Sequence, residues 1–322
     1  MELRNIASSV DVLKISDSFS PLTEFGHRIQ QSVMTLITLV DGQVNPIGTG
    51  FTIAPDGLMM TAVHVIQEAL KGVAIKRNGD GTVEHVLEFY ALYITSKTHG
   101  ENNEHTPGGL LPIQRVWYSP ELDIGFCAVT SPIIDGEALK YPIFKLSPGL
   151  PKVGENILGF GYHSMKGTNV GKGKDGKVMI EYSQDTAFTR GNIVEVFPIK
   201  RDHAMLPFPC FHTNARFEPG MRGGPVINER GNVCGVICSS FPSVEDNPEY
   251  ISYGSLIWPA LGTSIEAAIS QGALPEMLLV YDLIERGFVL TDETISNVKV
   301  DLKPNGERTV SLLSSVITTH ST

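Results

Sequence analysis

His64, Asp123 and the turn around Arg222 are the residues whose types and settings could do chemistry. His64 ends the apolar stretch Leu58-Met59-Met60-Thr61-Ala62-Val63-His64-Val65, which follows a Pro55-Asp56-Gly57 turn. An imidazole so placed can take up and return a proton near neutral pH. Asp123 opens another apolar run, Asp123-Ile124-Gly125-Phe126-Cys127-Ala128-Val129. An acid at the head of such a strand needs a buried partner or a strand-end position, and the ring N–H of His64 is a candidate partner. The third segment is Phe217-Glu218-Pro219-Gly220-Met221-Arg222-Gly223-Gly224-Pro225-Val226. A base and its orienter serve a weak hydroxyl nucleophile, and acyl transfer also needs backbone N–H groups for the developing oxyanion. Gly220 frees the backbone to aim such an N–H. The same turn carries Arg222, whose guanidinium stays protonated and is not nucleophilic. Taken alone, the segment could equally be a glycine-rich β-turn without chemistry.

The elements that must position these residues are strands. Alternating and β-branched runs predict strands near 33–39, 48–54, 58–61, 73–76, 86–93, 113–118 and 124–129. A second set is expected near 156–162, 178–182, 192–196, 211–213, 225–227, 233–238 and 252–256. Residues 131–141 connect the two groups. Residues 95–109 read as a polar excursion. Lys166 to Lys177, the densest basic stretch, reads as a mobile hairpin loop, since neither phosphate-loop spacing nor a following helix is present. Beyond residue 262, 265–269 reads as helical and Leu274 to Arg286 has helical spacing ending at Gly287. Residues 298–302 and 309–313 flank an Asn305-Gly306 turn and read as a hairpin.

The three chemical segments carry a resemblance. Gly48-Thr49-Gly50-Phe51 with Leu58 to Val65, then Leu122-Asp123-Ile124, then Gly220-Met221-Arg222-Gly223-Gly224-Pro225 are similar to the histidine, aspartate and G-x-S-G-G-P blocks of trypsin-like serine peptidases, in that family's chain order. Pro225-Val226 through Asn232-Val233-Cys234-Gly235-Val236-Ile237 resembles the family's strand–turn–strand after the nucleophile. The resemblance implies an all-β fold of two six-stranded antiparallel barrels with a small helical and hairpin C-terminal extension. It divides the chain into a lead segment 1–28, a peptidase domain 29–262 (barrel one about 30–130, barrel two about 143–256) and an extension 263–322. It also implies His64 as general base, Asp123 as its orienter, the Gly220 backbone in the oxyanion hole and Arg222 in place of the nucleophile. Ala215, Arg216, Phe217, Ser239 and Ser240 are then expected to border the substrate, with a polypeptide substrate or partner protein lying between the barrels.

Composition excludes several other classes. The formal net charge of −10 and the lack of a basic stripe argue against nucleic-acid binding. An apolar fraction of 42% and 32 glycines suit a turn-rich globular chain with core enough for two small barrels. His85, His99 and His105 have no zinc spacing and read as solvated, and no metal or other cofactor is expected. Residues 1–20 do not have the pattern of a secretory signal, and no stretch is apolar enough to span a bilayer. Cys127, Cys210, Cys234 and Cys238 include no zinc-type pair. Cys234 and Cys238, read on one face of a strand, are too far apart for an easy bridge, so reduced thiols and a cytoplasmic location are expected. Two functions follow: a serine endopeptidase scaffold inactive as written because of Arg222, or a regulatory, peptide-binding pseudoprotease.

Overall fold

The computed structural model describes residues 26–77, 83–94, 108–134, 136–173, 178–241, 251–268 and 274–315. Most of the expected lead segment, and the excursion with His99 and His105, lie outside them. His85 falls in a short ribbon, Ala74–Arg77 with Val83–Val86.

The first barrel is built from β1 (Val33–Val40), β2 (Gln43–Ala54), β3 (Leu58–Ala62), β4 (Phe89–Ile94), β5 (Gly108–Tyr118) and β6 (Ile124–Val129). They close in the order β1-β2-β3-β6-β5-β4, all antiparallel. Closure removes the exposed edges that an open sheet would present. A short helix, α1 (Gly26–Ser32), leads into β1, and α2 (Val63–Lys71) follows β3 directly. The second barrel uses β7 (Asn156–Lys172), β8 (Val178–Phe197), β9 (Cys210–Thr213), β10 (Pro225–Asn228), β11 (Val233–Phe241) and β12 (Ile251–Leu256). Their order, β7-β8-β9-β12-β11-β10, repeats the first.

One expectation is corrected here. The basic stretch from Lys166 is not a loop: Lys166 to Lys172 continues β7, paired in register with 178–183 of β8. Those strands form a long two-stranded ribbon that crosses onto barrel one. Val178, Ile180 and Tyr182 alternate along β8 and pack on Ile37, Leu39, Val44 and Leu92. This explains why β1 is buried along nearly its whole length: one face fills the barrel and the other lies under the ribbon. Asn169 Nδ2 donates to Gly42 O at 3.0 Å, Gln184 accepts from Thr35, and the buried Tyr162 hydroxyl donates to Val33 O at 2.8 Å.

The C-terminal residues are a second correction. Of residues 265–269, expected to be helical, residue 269 lies outside the described residues and 265–267 lie in the strand Ser264–Ala267, paired with Glu276–Leu279. Its burial alternates with Ile265 and Ala267 inward, which suits a strand, and so short a run gives little return on the cost of nucleating a helix. The helical spacing before Gly287 is realised only in α3 (Val280–Glu285), which ends at Gly287 with φ +75°. The hairpin forms between Val298–Leu302 and Arg308–Leu312. Ile265, Val280, Leu283, Phe288 and Leu312 join the buried cluster that fills barrel one. Arg308 grips Asp282 through two bonds of 2.7 Å, and Arg230 reaches the buried Asp292 at 3.1 Å.

Candidate active site

His64 is the second residue of α2, and Asp123 is the residue before β6. Because β3 and β6 are hydrogen-bonded neighbours, their ends bring the two together. His64 Nδ1 lies 2.8 Å from Asp123 Oδ1, with the ring half-buried and the carboxylate buried. That separation suits a charge-assisted bond with the proton on Nδ1, which leaves Nε2 as the acceptor. Nε2 is buried and has no hydrogen-bond partner among the described residues. Asp123 also receives the start of α2: Val63 N donates to its main-chain oxygen at 3.1 Å, and His64 N approaches Oδ1 at 3.4 Å. The carboxylate there meets one N–H group that a helix start leaves orphaned, that of His64, and complements the helix dipole.

The turn around Arg222 consists of two consecutive β-turns. Met221 N donates to Glu218 O at 3.1 Å, and Gly224 N to Met221 O at 2.9 Å. In each, the third residue is a glycine at positive φ, Gly220 at +102° and Gly223 at +85°, with Pro219 second in the first turn. This is the glycine requirement of a type II turn. The double turn is seated on barrel one: Thr49 N donates to Arg222 O at 2.8 Å and Thr49 Oγ1 to Gly220 O at 2.9 Å. On the other side Gly223 N donates to Ile237 O at 2.8 Å. A methyl group on Gly223 would lie 2.2 Å from Thr49 O and 3.0 Å from Ala62 N, two residues from His64, so a glycine is needed here for space as well as for φ. One on Gly48 would meet both the Val65 side chain and Arg222 O.

Arg222 is exposed, with no ion-pair partner among the described residues. Glu218, the carboxylate in the same turn, is paired with Arg216 at 2.6 Å. The main-chain N–H groups of Gly220 and Arg222 have no acceptor among the described residues, whereas those of Met221, Gly223 and Gly224 are bonded. The arrangement thus brings a proton acceptor with its orienter close to two unused backbone donors and a free guanidinium.

The model of the trypsin-like peptidase domain matches residues 48–236, more than half of the chain. The chain belongs to the trypsin-like peptidase family. No curated protein sequence matches it. Among solved structures it is similar to the MamO protease domain from Magnetospirillum magneticum, at 12% identity over 71% of this chain and 94% of that one, TM-score 0.42. It is also similar to the active form of the Rv3671c protease from M. tuberculosis, at 19% identity over 80% of this chain and 88% of that one, TM-score 0.45.

Within this trypsin-like fold, the residues expected to border a substrate fall in different settings. Ala215 and Phe217 are buried in the core of barrel two, where Phe217 packs on Gly159. Arg216 is exposed and engaged by Glu218. Ser239 is half-buried on β11 opposite Tyr253, with a buried hydroxyl, and Ser240 follows in register with Ser252. Sequence reasoning missed three contributors. Thr49 holds both turns, Thr61 Oγ1 donates to Thr49 O at 2.7 Å, and Cys238 lies against Asp123. Burial pushes the Cys238 thiol up, and the Asp123 charge and a side-chain contact push it further. Asp123 Oδ2 nevertheless has no donor in good hydrogen-bond geometry, so the thiol is near but not aligned. Cys238 reaches that position because a bulge between Ile237 and Ser239 breaks the alternation, so it does not share a cluster with Cys234. All four cysteines are buried and unbridged.

Proposed function

We propose that this chain is a serine-endopeptidase scaffold that holds polypeptide at the junction of its barrels without cleaving it. The observation that carries this reading is Arg222 as the second residue of the turn 221–224, beside an intact His64–Asp123 pair. His64 is assigned as the general base, Asp123 as its orienter and the N–H groups of Gly220 and Arg222 as the oxyanion donors. The nucleophile is what is missing. Thr49 and Thr61, the hydroxyls that touch the turn, both donate to main-chain carbonyls, which does not suit either for attack. β11, bearing Ser239 and Ser240, is assigned as the strand along which a bound peptide backbone pairs.

Arg222→Ser tests the reading. With base, orienter and donors in place, it should create peptidase activity on a mixed peptide library, on the order of a millionfold above the parent. The double variant Arg222→Ser/His64→Ala should be as silent as the parent. A silent Arg222→Ser protein that still binds peptides would favour a long-diverged pseudoprotease over a recently disabled enzyme. One observation supports that second reading: Asp123 serves the start of α2, a reason to keep the pair that needs no catalysis. The buried, unbridged thiols favour a reducing compartment such as the cytoplasm, which cell fractionation would test. Among the described residues no helix is long and apolar enough to cross a membrane.

A further inference from the structure

We infer that the substitution at Arg222 turns the oxyanion site into a receptor for a carboxylate, so that the cleft recognises a peptide through its C-terminal carboxylate or an Asp or Glu side chain. The inference rests on the reading of the chain as one that holds polypeptide without cleaving it.

Two backbone donors in the turn are without acceptors among the described residues. These, Gly220 N and Arg222 N, flank the bonded Met221 N in one continuous turn. Backbone N–H groups two residues apart in a turn with a positive-φ glycine form a small concavity suited to an anion. In a working peptidase that concavity meets only the transient negative charge of a tetrahedral intermediate. Here the side chain of Arg222, the second residue of the second turn, adds a permanent positive charge. Arg222 is exposed and makes no ion pair among the described residues, and the one acid in its turn, Glu218, is taken by Arg216. The nearby Asp123 is likewise engaged, by His64.

These donors call for a lasting anion with two acceptor atoms. One carboxylate oxygen can take the turn N–H groups while the other meets the guanidinium fork, a geometry that a neutral scissile amide cannot match. No bond is made or broken. A chain whose formal net charge is −10 repels anions at long range, so a local site with this much positive character stands out from its surroundings.

Fluorescence anisotropy with N-terminally labelled octapeptide libraries tests the inference on the full chain. One library ends in a free carboxylate, a second is amidated, and a third is amidated with a fixed central Asp or Glu. The free-carboxylate or the acidic library should bind at least about tenfold more tightly than the neutral amidated one, and whichever leads identifies the source of the anion. Arg222→Gln should abolish the preference, while Arg222→Lys should keep part of it. Acetate titration followed by ¹⁵N–¹H spectra should shift the Gly220 and Arg222 amide signals in the parent. Equal binding of all three libraries overturns the carboxylate receptor and leaves the peptide-holding reading standing. If no library binds but acetate still shifts both amides, the anion site stands and the peptide reading falls. If acetate moves neither amide and no library binds, both are wrong.

Discussion

The two barrels share one strand order yet contribute to the site in opposite ways. Barrel one supplies its pair from regular elements: His64 on the first turn of α2 and Asp123 at the head of β6. Neighbouring strands hold these ends together, and 2.8 Å separates His64 Nδ1 from Asp123 Oδ1. Barrel two supplies a turn whose shape depends on two positive-φ glycines and on Thr49 of the other barrel. The turn has this backbone form while carrying the exposed side chain of Arg222. Backbone geometry here is over-determined by glycines and main-chain bonds, whereas the exposed side chain at the second turn position has no ion-pair partner among the described residues. A different residue at such a position would cost little in structure.

The largest test of this contrast removes barrel one's contribution from a chain given a nucleophile. In an Arg222→Ser background, His64→Ala should cost on the order of a millionfold in turnover, and Asp123→Asn about ten-thousandfold, because the wrong imidazole tautomer is then favoured. If Asp123→Asn is harmless to turnover there, the pair serves the start of α2 and not the reaction. Next comes the turn itself. Gly223→Ala should destabilise the fold by about 3 kcal/mol in urea unfolding, combining a disfavoured φ with a backbone clash against Thr49 O. An unchanged midpoint would mean that the turn can lift off barrel one. Smaller still is the ribbon. Ile180→Ala should cost about 1–2 kcal/mol, since Ile180 is only partly buried against barrel one. Met179→Ala, on the opposite, exposed face, should stay within about 0.5 kcal/mol of the parent.

A smaller loss than that of Ile180→Ala is expected at the C-terminal clamp. Arg308→Ala should lower stability by about 1 kcal/mol at neutral pH, since Arg308 is partly exposed. Burial alone would raise the Asp282 carboxyl, but its bonds from Arg308 and Leu279 N outweigh that and hold it below the ordinary value. A depressed carboxyl contributes stability above its unfolded value of about 4, and the contribution fades as pH falls through the folded value. The gap between parent and Arg308→Ala midpoints should therefore close on acidification below about pH 4. A gap that persists at pH 2 would assign the effect to lost packing of the arginine stem.

Most of the site was legible because its members sit in short, chemically constrained motifs. A histidine after a strand–turn–strand, an acid heading an apolar strand and a turn punctuated by Gly220, Gly223 and Gly224 each announce themselves locally. Cys238 was not legible, because a bulge that depends on the partner strand resets the alternation just before it. Thr49 looked like one more strand residue, and only the approach of the other barrel gives its hydroxyl and N–H their acceptors. The ribbon was misread because lysines and glycines signal a loop locally, while the apolar stripe that anchors it lies on the opposite strand and needs barrel one to be meaningful.

By itself, then, the amino-acid order determined which groups were on offer: an imidazole, a carboxylate, a glycine-shaped turn and, within it, a guanidinium. It determined the all-β class too, since alternation and turn chemistry act over a few residues. What only the tertiary structure decided was contact between distant segments. Asp123 meets His64 across 59 positions, Thr49 meets the turn across 171, and β8 crosses to cover the outer face of β1. Those meetings depend on barrel closure and on the packing of one barrel against the other. Closure and packing are collective outcomes of many weak contacts, so no single motif encodes them.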